Sequence, residues 1–284
     1  MGYWLLALPG WIGLAFASLS HGVIITDLKW AILILIGAIA MRGAGCTYND
    51  IVDRDLDAQV QRTAKRPIPA GTVSVKRARI WLFAQCFGGL LVLLTLPRFA
   101  QIVALCSIPL VAAYPFMKRI TWWPQVWLGL TFNWAVLVAY AIKTGTLSPA
   151  VMILYIGLMF WTVGYDTIYA CQDIEDDALI GVKSTARRFG KRVKLGVGVC
   201  YIICIALILI SKYCVPIIVF EDPIVNAERT ADARIKSALL SITPIAIHLL
   251  IQAFKIRADD GPHALKLFKS NIWAAILLLS LIHI

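Results

Sequence analysis

Charge is scarce in this chain. Asp, Glu, Lys and Arg together make up 15% of the 284 residues, whereas hydrophobic residues make up 60% and the mean hydropathy is +0.79. A soluble domain usually carries about a quarter charged residues and about half apolar ones. The shortage of charge therefore excludes a soluble globular protein and predicts an integral membrane protein, whose apolar surface faces lipid as well as a core.

Strict alternation of polar and apolar residues is also absent from the apolar runs. Membrane-spanning strands need that alternation, so a barrel is excluded and helices are favoured. The first run lacks a basic leader and further spans follow it, so we expect no cleaved signal peptide. We predict an all-α, polytopic membrane protein, a bundle of about nine transmembrane helices. The charge-poor runs are 3–26, 30–48, 80–96, 100–117, 122–142, 147–168, 195–219, 237–254 and 271–284.

Neither cysteine nor histidine forms a metal-binding or redox pattern. The seven cysteines are spread among the apolar runs without a C-x-x-C pair, and the four histidines are equally scattered. Zinc and dithiol chemistry are therefore not expected. We interpret the cysteines as small buried apolar residues.

Lys and Arg are divided unevenly between the two sides that nine spans define. Nineteen lie in the loops 49–79, 118–121, 169–194 and 255–270, and seven lie on the opposite side. By the positive-inside rule, the richer side faces the cytoplasm, or the matrix of a mitochondrion. We expect a bacterial or mitochondrial inner-membrane protein with its functional site on that face. The basic residues are split among short loops, so nucleic-acid binding is not expected.

Acidic residues concentrate in two places on the basic side, which the positive-inside rule does not explain. The first acidic motif is NDIVDRDLD, residues 49–57. If the second helix continues through it, Asn49, Asp53 and Asp57 repeat at i, i+4 and i+8, and Asp50 shares their face. Asp55 points elsewhere, and we expect it to be solvated.

The second acidic motif is DTIYACQDIEDD, residues 166–177. On one continuous helix, Asp166, Tyr169, Asp173 and Asp177 would form a single stripe. Like charges at this spacing destabilise a helix, and acids near hydrocarbon are costly, so something positive must offset them. We expect Mg²⁺ rather than basic side chains in that role, because carboxylate and amide oxygens suit this cation. Mg²⁺ keeps positions for phosphate oxygens, so the diphosphate of an otherwise apolar substrate is its natural companion.

Basic residues near the two motifs are candidates for charge-assisted hydrogen bonds to that diphosphate. They are Arg62, Arg66, Lys118, Arg119 and Lys183. The segment RPIPAG, residues 66–71, favours a turn, because proline fixes φ and glycine allows a positive φ. Such a turn can fold over the site and exclude water.

A few polar residues lie inside the apolar runs. Arg42 is costly at that depth if unpaired, and two interpretations are open. It pairs with an acid across the bundle, or it meets a carboxylate on a second substrate. Asn133 and Tyr165 are interpreted first as interhelical hydrogen-bonding residues.

These motifs resemble the UbiA-type family of intramembrane aromatic prenyltransferases. The first family signature, N-D-x-x-D-x-x-x-D, falls here on Asn49, Asp50, Asp53 and Asp57. The second, D-x-x-Y-A-x-x-D-x-x-x-D, falls on Asp166, Tyr169, Ala170, Asp173 and Asp177. The segments RTAKRPIPAG (62–71), YPFMKR (114–119) and GVKSTARRFG (181–190) are similar to the family as well. Within it, the chain is most similar to the 4-hydroxybenzoate polyprenyltransferases of ubiquinone synthesis.

The resemblance implies a single transmembrane prenyltransferase domain over 1–284, with active-site loops near 49–79, 118–121 and 169–194. It implies transfer of a polyprenyl group from polyprenyl diphosphate to 4-hydroxybenzoate, ortho to the hydroxyl, with Mg²⁺. The implied metal ligands are Asn49, Asp50, Asp53, Asp57, Asp173 and Asp177. The implied catalytic residues are Asp50, Asp53, Asp57, Asp166, Tyr169, Asp173 and Asp177, of which Asp166 or Tyr169 shields an allylic cation or orients the phenol. The implied substrate-binding residues are Asn49, Arg42, Arg62, Arg66, Lys118, Arg119 and Lys183.

Two other functions remain open at this point. A related prenyltransferase would use another acceptor, such as haem, a naphthoate or homogentisate. A divalent-cation transporter would use the acidic clusters as an ion path, but it needs acids near mid-membrane and a polar exit on the far side. The prenyl chain length and the oligomeric state are not determined by the sequence.

Overall fold

The chain is predominantly helical and has no strand in the residues that the computed structural model describes, which are 3–60, 63–215 and 227–282. The first seven helices are α1 (Trp4–His21), α2 (Thr26–Asp57), α3 (Val75–Thr95), α4 (Arg98–Leu105), α5 (Ile108–Ile120), α6 (Pro124–Thr144) and α7 (Pro149–Ala170). The remaining six are α8 (Ile174–Leu179), α9 (Thr185–Phe189), α10 (Val193–Tyr213), α11 (Ala227–Lys255), α12 (Gly261–Lys269) and α13 (Asn271–Ile282). The all-α prediction is confirmed.

Eight segments of the described residues are long and apolar enough to cross a membrane. They are α1, α2, α3, the pair α4–α5, α6, α7, the stretch Thr185–Tyr213 and Lys236–Lys255 of α11. The ninth expected span corresponds to α13, which has 12 residues and therefore rises only about 18 Å. The expected runs 195–219 and 271–284 fall partly outside the described residues. The polytopic membrane bundle is confirmed.

Several helix boundaries around the loops follow from local chemistry. The side chain of Ser74 accepts the Arg77 N–H at the start of α3, and Ser184 does the same for Arg187 at the start of α9. These are N-caps, which satisfy backbone donors left open in the first turn. Proline stands in the first turn of α6, and that helix ends at Gly145 with φ +68°. Proline restricts the backbone at the start of α6, and glycine permits the positive φ at its end. The sequence therefore sets both ends of this helix.

Six helices form a closed ring around the core. α1 packs on α6, α6 on α7, α7 on α10, α10 on α11, α11 on α13, and α13 returns to α1. α1 and α6 approach closely at Gly13, where an added Cβ would lie 2.4 Å from the carbonyl oxygen of Val136. Small residues allow such backbone approach in membrane bundles, where packing rather than hydrophobicity joins the helices.

The polar residues inside the ring differ in their partners. Asn133 Nδ2 of α6 donates to Leu158 O and Thr162 Oγ1 of α7, at 3.1 and 2.7 Å. The interhelical interpretation is therefore confirmed for Asn133. It was wrong for Tyr165, which is hydrogen-bonded to Thr162 on its own helix. The aromatic ring of Tyr165 instead packs against Phe268 of α12, because a phenol has a large apolar body that favours burial.

α2 and α3 lie outside the closed ring. They pack against each other, and α2 also packs on α1. Their apolar side chains are largely exposed, as expected for helices that lipid covers.

The expectation that the cysteines are buried was wrong for Cys46, Cys86, Cys106 and Cys214, which are exposed. Lipid shields a small apolar side chain as well as a protein core does, so burial is not required.

The length of α2 places the first acidic motif. α2 has 32 residues, so it rises about 48 Å, whereas the hydrocarbon layer is about 30 Å thick. The helix includes residues 49–57, as expected for a helix that continues through the motif. The excess length carries the last turns of α2, with their carboxylates, out of the hydrocarbon.

The second acidic motif does not lie on one continuous helix, so that expectation was wrong. α7 ends at Ala170 and α8 begins at Ile174, with Asp173 as the residue before its first turn. Glu175, Asp176 and Asp177 lie in the first turn of α8. Negative charge is favourable at a helix N-terminus and unfavourable at a C-terminus. The interruption therefore changes an unfavourable position for these acids into a favourable one.

Candidate active site

Both acidic motifs line one cavity of about 210 Å³ at the end of the bundle. Its walls come from α2, α5, α6, α7, α8 and the loops that follow α2 and α8. Six lining residues were predicted to belong to the site from the two motifs, namely Asn49, Asp57, Asp166, Tyr169, Asp173 and Asp177. Three predicted basic residues also line it, namely Arg66, Lys118 and Lys183. The break between α7 and α8 thus keeps the second motif on the same cavity.

Asp53 lies beside this cavity and has two cationic partners. The residue is completely buried. Lys118 Nζ lies 2.6 Å from Asp53 Oδ2, an ion-pair contact that is off the direction of a hydrogen bond. Arg119 Nη2 donates to Asp53 Oδ1 and to Val52 O, both at 3.0 Å. The end of α5 is thereby fixed against α2 through one carboxylate.

Arg66 joins the other two carboxylates of the first motif. Its Nη1 donates to Asp50 Oδ1 at 3.0 Å and to Asp57 Oδ2 at 2.9 Å. The chain folds back for this contact because Thr63 Oγ1 donates to Asp57 O at 2.8 Å. Gly71, with φ +73°, ends the turn. The RPIPAG turn therefore lies over the end of α2, although its action as a lid stays a prediction.

These ion pairs correct one expectation from the sequence. The basic residues were expected to be directed away from the acids of the first motif. Arg66, Lys118 and Arg119 instead neutralise Asp50, Asp53 and Asp57. A buried carboxylate without a counter-charge is strongly destabilising, and these bases supply the counter-charge.

Lys183 connects the loop after α8 to the end of α5. Its backbone N–H donates to Lys118 O at 2.9 Å, and its Nζ donates to Ile120 O at 3.0 Å. The loop before α12 lies close as well, because Gly261 faces Gln172. Loops that were expected on one side of the membrane therefore meet at one end of the bundle. Arg62, another predicted diphosphate ligand, lies outside the described residues.

Arg42 and Asp166 lie deeper, between helices. The Arg42 guanidinium lies 5.0 Å from the Phe132 ring centre, a cation–π contact, and it attracts Asp166 electrostatically. This supports the first interpretation of Arg42, pairing with an acid across the bundle.

Asp55 is 83% exposed and pairs only with the neighbouring Arg54 among the described residues. Its predicted solvation is confirmed.

Gln125 is a site residue that the sequence reasoning missed. It is 5% exposed, lines the cavity from the first turn of α6, and accepts the Thr185 N–H at 3.1 Å. A signal was present, because Gln125 is a polar residue at the start of an apolar run, directly after Pro124. Such residues inside membrane helices usually have polar partners.

The donor set suits a hard divalent cation. Among residues 3–60, 63–215 and 227–282, no three His, Cys, Asp or Glu side chains converge closely enough to hold an ion. The oxygens that the two motifs offer are carboxylates and one carboxamide, which match Mg²⁺ rather than zinc or copper. A cation would have to compete with the bases that now contact the first motif. The residues fit the ion by chemistry, and its binding requires these bases to move.

The fold and the site together define an integral membrane protein of the helical-bundle class, with carboxylates and bases around one cavity at its end. Residues 6–276 match the UbiA prenyltransferase family, and the chain belongs to that family. The family resemblance inferred from the two motifs is therefore confirmed.

Two curated relatives are similar over about two thirds of the chain. Identity is 48% over 197 residues with the mitochondrial 4-hydroxybenzoate polyprenyltransferase of Rattus norvegicus, covering 68% of this chain and 52% of that protein. It is 43% over 196 residues with the mitochondrial 4-hydroxybenzoate polyprenyltransferase of Arabidopsis thaliana, covering 69% and 48%. The chain spans about half the length of these relatives.

Solved structures share the fold over nearly the whole chain. The apo UbiA homolog from Aeropyrum pernix aligns with a TM-score of 0.75 at 22% identity, covering 98% of this chain and 96% of that one. The UbiA homolog from Archaeoglobus fulgidus bound to GPP and Mg²⁺ aligns with a TM-score of 0.57 at 17% identity, again covering 98% and 96%. At these identities the likeness establishes the fold.

Proposed function

We propose that this protein transfers a polyprenyl group from polyprenyl diphosphate to 4-hydroxybenzoate, with Mg²⁺, as a step of ubiquinone biosynthesis. The observation that carries the proposal is that both acidic motifs and three bases line one cavity at the end of a membrane bundle. A substrate with a diphosphate head and a long apolar tail matches this arrangement, since its head needs the polar cavity and its tail needs lipid. The names of the relatives at 43% and 48% identity support the same acceptor.

Asn49, Asp50, Asp53, Asp57, Asp173 and Asp177 are the residues proposed to hold Mg²⁺. When bound, the cation neutralises the diphosphate and helps it to leave. The GPP and Mg²⁺ named for the Archaeoglobus fulgidus homolog support this choice of ion and ligand. The ligands come from two helices and one loop, so binding of the cation also ties these elements together.

The basic side chains act on the diphosphate itself. Lys118, Arg119, Arg66 and Lys183 stabilise the negative charge that grows as the bond between prenyl carbon and diphosphate oxygen breaks. Both electrons of that bond leave with the diphosphate, and the prenyl group becomes an allylic cation. The ring carbon ortho to the phenol hydroxyl then bonds to it and loses its proton. Asp166 and Tyr169 shield the cation or orient the phenol.

Water must be kept from the allylic cation, because it would give the prenyl alcohol instead. The turn of residues 66–71 lies over the end of α2, where Arg66 holds it. We propose that this turn closes the site as a lid during transfer. We also propose that the prenyl tail lies in an apolar groove that opens to lipid.

The protein is proposed to be one transmembrane domain over 1–284 in a bacterial or mitochondrial inner membrane. The surplus of Lys and Arg on the loops around the cavity supports a site that faces the cytoplasm or the matrix.

Arg66→Gln tests the competition between bases and cation. Arg66 contacts both Asp50 and Asp57, so its loss frees two carboxylates and removes a diphosphate ligand. We expect divalent-cation binding without diphosphate to tighten by about tenfold, and the KM for prenyl diphosphate to rise by about tenfold. Titration with Mn²⁺, followed by its electron paramagnetic resonance, measures the first effect.

Arg54→Gln is the matched control for this change. Arg54 pairs with exposed Asp55 on the same helix, so we expect wild-type cation binding and KM. Weaker cation binding in Arg66→Gln would show that the arginine supports the ion instead of competing with it.

Product analysis tests the proposed function directly. Purified protein in nanodiscs, with Mg²⁺, receives labelled 4-hydroxybenzoate, 1,4-dihydroxy-2-naphthoate, homogentisate or haem, each with prenyl diphosphates of several lengths. We expect prenylated 4-hydroxybenzoate, identified by mass spectrometry, and one preferred chain length. Product from another acceptor alone would move the protein to a different branch of the family. Mg²⁺ uptake into liposomes without any prenyl product would favour a transporter.

A further inference from the structure

Gln125 lies where three parts of the site meet. It belongs to the first turn of α6, and its side chain is buried at the wall of the cavity. A buried amide has two donors and an acceptor to satisfy, so its partners define its orientation. The partners of Gln125 are the backbone of α9 and the side chain of Asp166 on α7.

The orientation of this amide follows from the Thr185 contact. A backbone N–H can only donate, and Thr185 N lies 3.1 Å from Gln125 Oε1. The oxygen is therefore committed to Thr185, which leaves the NH₂ group for the side-chain hydrogen bond with Asp166. Asp166 must then act as the acceptor in that bond.

Thr185 is itself firmly held. It is completely buried, and its Oγ1 lies 2.5 Å from Thr167 Oγ1, next to Asp166 in sequence. Two residues before Thr185, Lys183 lines the cavity and donates its N–H to Lys118 O. Gln125 thus connects the carboxylate of Asp166 to the loop that carries Lys183. In the proposed site, Asp166 acts on the prenyl cation or the aromatic acceptor, whereas Lys183 acts on the diphosphate.

We propose that Gln125 is a positioning residue, which holds Asp166 as a hydrogen-bond acceptor and fixes the Lys183 loop relative to it. The inference rests on the proposed prenyl transfer, because it assigns Asp166 and Lys183 to the two reacting partners. Gln125 acts through these residues and not on the reacting atoms. It therefore sets the geometry of the transfer step rather than the affinity for either substrate.

Two substitutions separate the two functions of the amide. Gln125→Leu removes both hydrogen bonds at similar size. Gln125→Glu keeps an acceptor for Thr185 but opposes the Asp166 carboxylate with a second one. Gln252→Leu is the control for loss of a buried amide, because Gln252 is 2% exposed and bonds to Tyr201 and Ser270 away from the cavity.

We expect kcat to fall by about 10- to 100-fold in both Gln125 variants, with the KM for prenyl diphosphate within about threefold of wild type. Hydrogen exchange at Thr185, followed by mass spectrometry of peptides over 183–187, should rise roughly tenfold in Gln125→Leu and stay near wild type in Gln125→Glu. In an Asp166→Asn background, Gln125→Leu should lower kcat by less than it does in the wild-type background, because only the contact with Thr185 and the Lys183 loop is then newly lost. Gln252→Leu should lower thermal stability without changing kcat.

Three outcomes would overturn the inference. One is wild-type kcat in Gln125→Leu, and another is the full loss of kcat on adding Gln125→Leu to Asp166→Asn. The third is unchanged exchange at Thr185 in Gln125→Leu. Failure of the proposed function is separate, because wild-type protein would then form no prenylated product while the exchange measurement would still report on Gln125.

Discussion

We expect Asp53→Asn protein to transfer prenyl groups at least about a thousandfold more slowly than wild type, a cost of about 4 kcal/mol in activation free energy. Asp53 is completely buried and contacts both Lys118 and Arg119. Asparagine keeps the size of the side chain but removes the charge that orders these cations and binds the proposed metal. The measurement is initial-rate prenylation of labelled 4-hydroxybenzoate at saturating Mg²⁺.

Asp55→Asn is the matched control, because Asp55 lies two residues away on the same helix with an 83% exposed side chain. We expect its rate to stay within about twofold of wild type, since an exposed charge contributes little. Asp173→Asn, from the second motif, should lose as much activity as Asp53→Asn. Monodisperse gel filtration and helical circular dichroism must accompany each rate, so that loss of fold is not read as loss of chemistry. Normal turnover by folded Asp173→Asn would remove the second motif from the site.

We expect chelation of divalent ions to stop turnover, to below about one thousandth of the wild-type rate, and added Mg²⁺ to restore it. The physical reason is charge. In the absence of a cation, Arg66 and Lys118 are paired with the carboxylates, so a diphosphate would meet acids whose positive partners are already engaged. Dialysis against EDTA followed by assay with and without Mg²⁺ measures the effect.

Ca²⁺ is the informative control in this experiment, because it binds oxygen ligands but prefers longer bonds and more of them. We expect it to restore binding of prenyl diphosphate better than it restores turnover. Full activity after exhaustive dialysis against EDTA would contradict the metal role. The bases alone would then have to neutralise the diphosphate.

The first acidic motif was predictable from sequence because its spacing agrees with the helix that contains it. Asn49, Asp53 and Asp57 repeat with helical period, and α2 continues through them. The spacing of Asp166, Tyr169, Asp173 and Asp177 is equally regular, yet the helix breaks after Ala170. Helical spacing alone does not predict that a helix ends before a run of acids. It ignores the unfavourable interaction of these acids with the negative C-terminal end of a helix. The cavity residues were nevertheless identified, since the broken segment folds back onto the same wall.

The pairing of bases and acids could not be predicted in the same way. Lys118 and Arg119 are more than sixty residues from Asp53 in sequence, and only the packing of α5 against α2 brings them together. Gln125 was missed for a related reason. Its partners, Thr185 and Asp166, belong to other elements, and one glutamine at the start of an apolar run does not identify them. Composition and spacing determine the elements, whereas these contacts depend on tertiary distances.

The projection of α2 beyond the hydrocarbon has a consequence for how the proposed substrate meets the protein. A prenyl diphosphate dissolved in a bilayer keeps its charged head at the depth of the lipid phosphates. The last turns of α2 hold their carboxylates near that same depth, because the helix is about 18 Å longer than the apolar layer. The substrate then reaches the site by lateral diffusion in the membrane. The thickness of the bilayer determines how closely the depth of the diphosphate head matches that of the carboxylates.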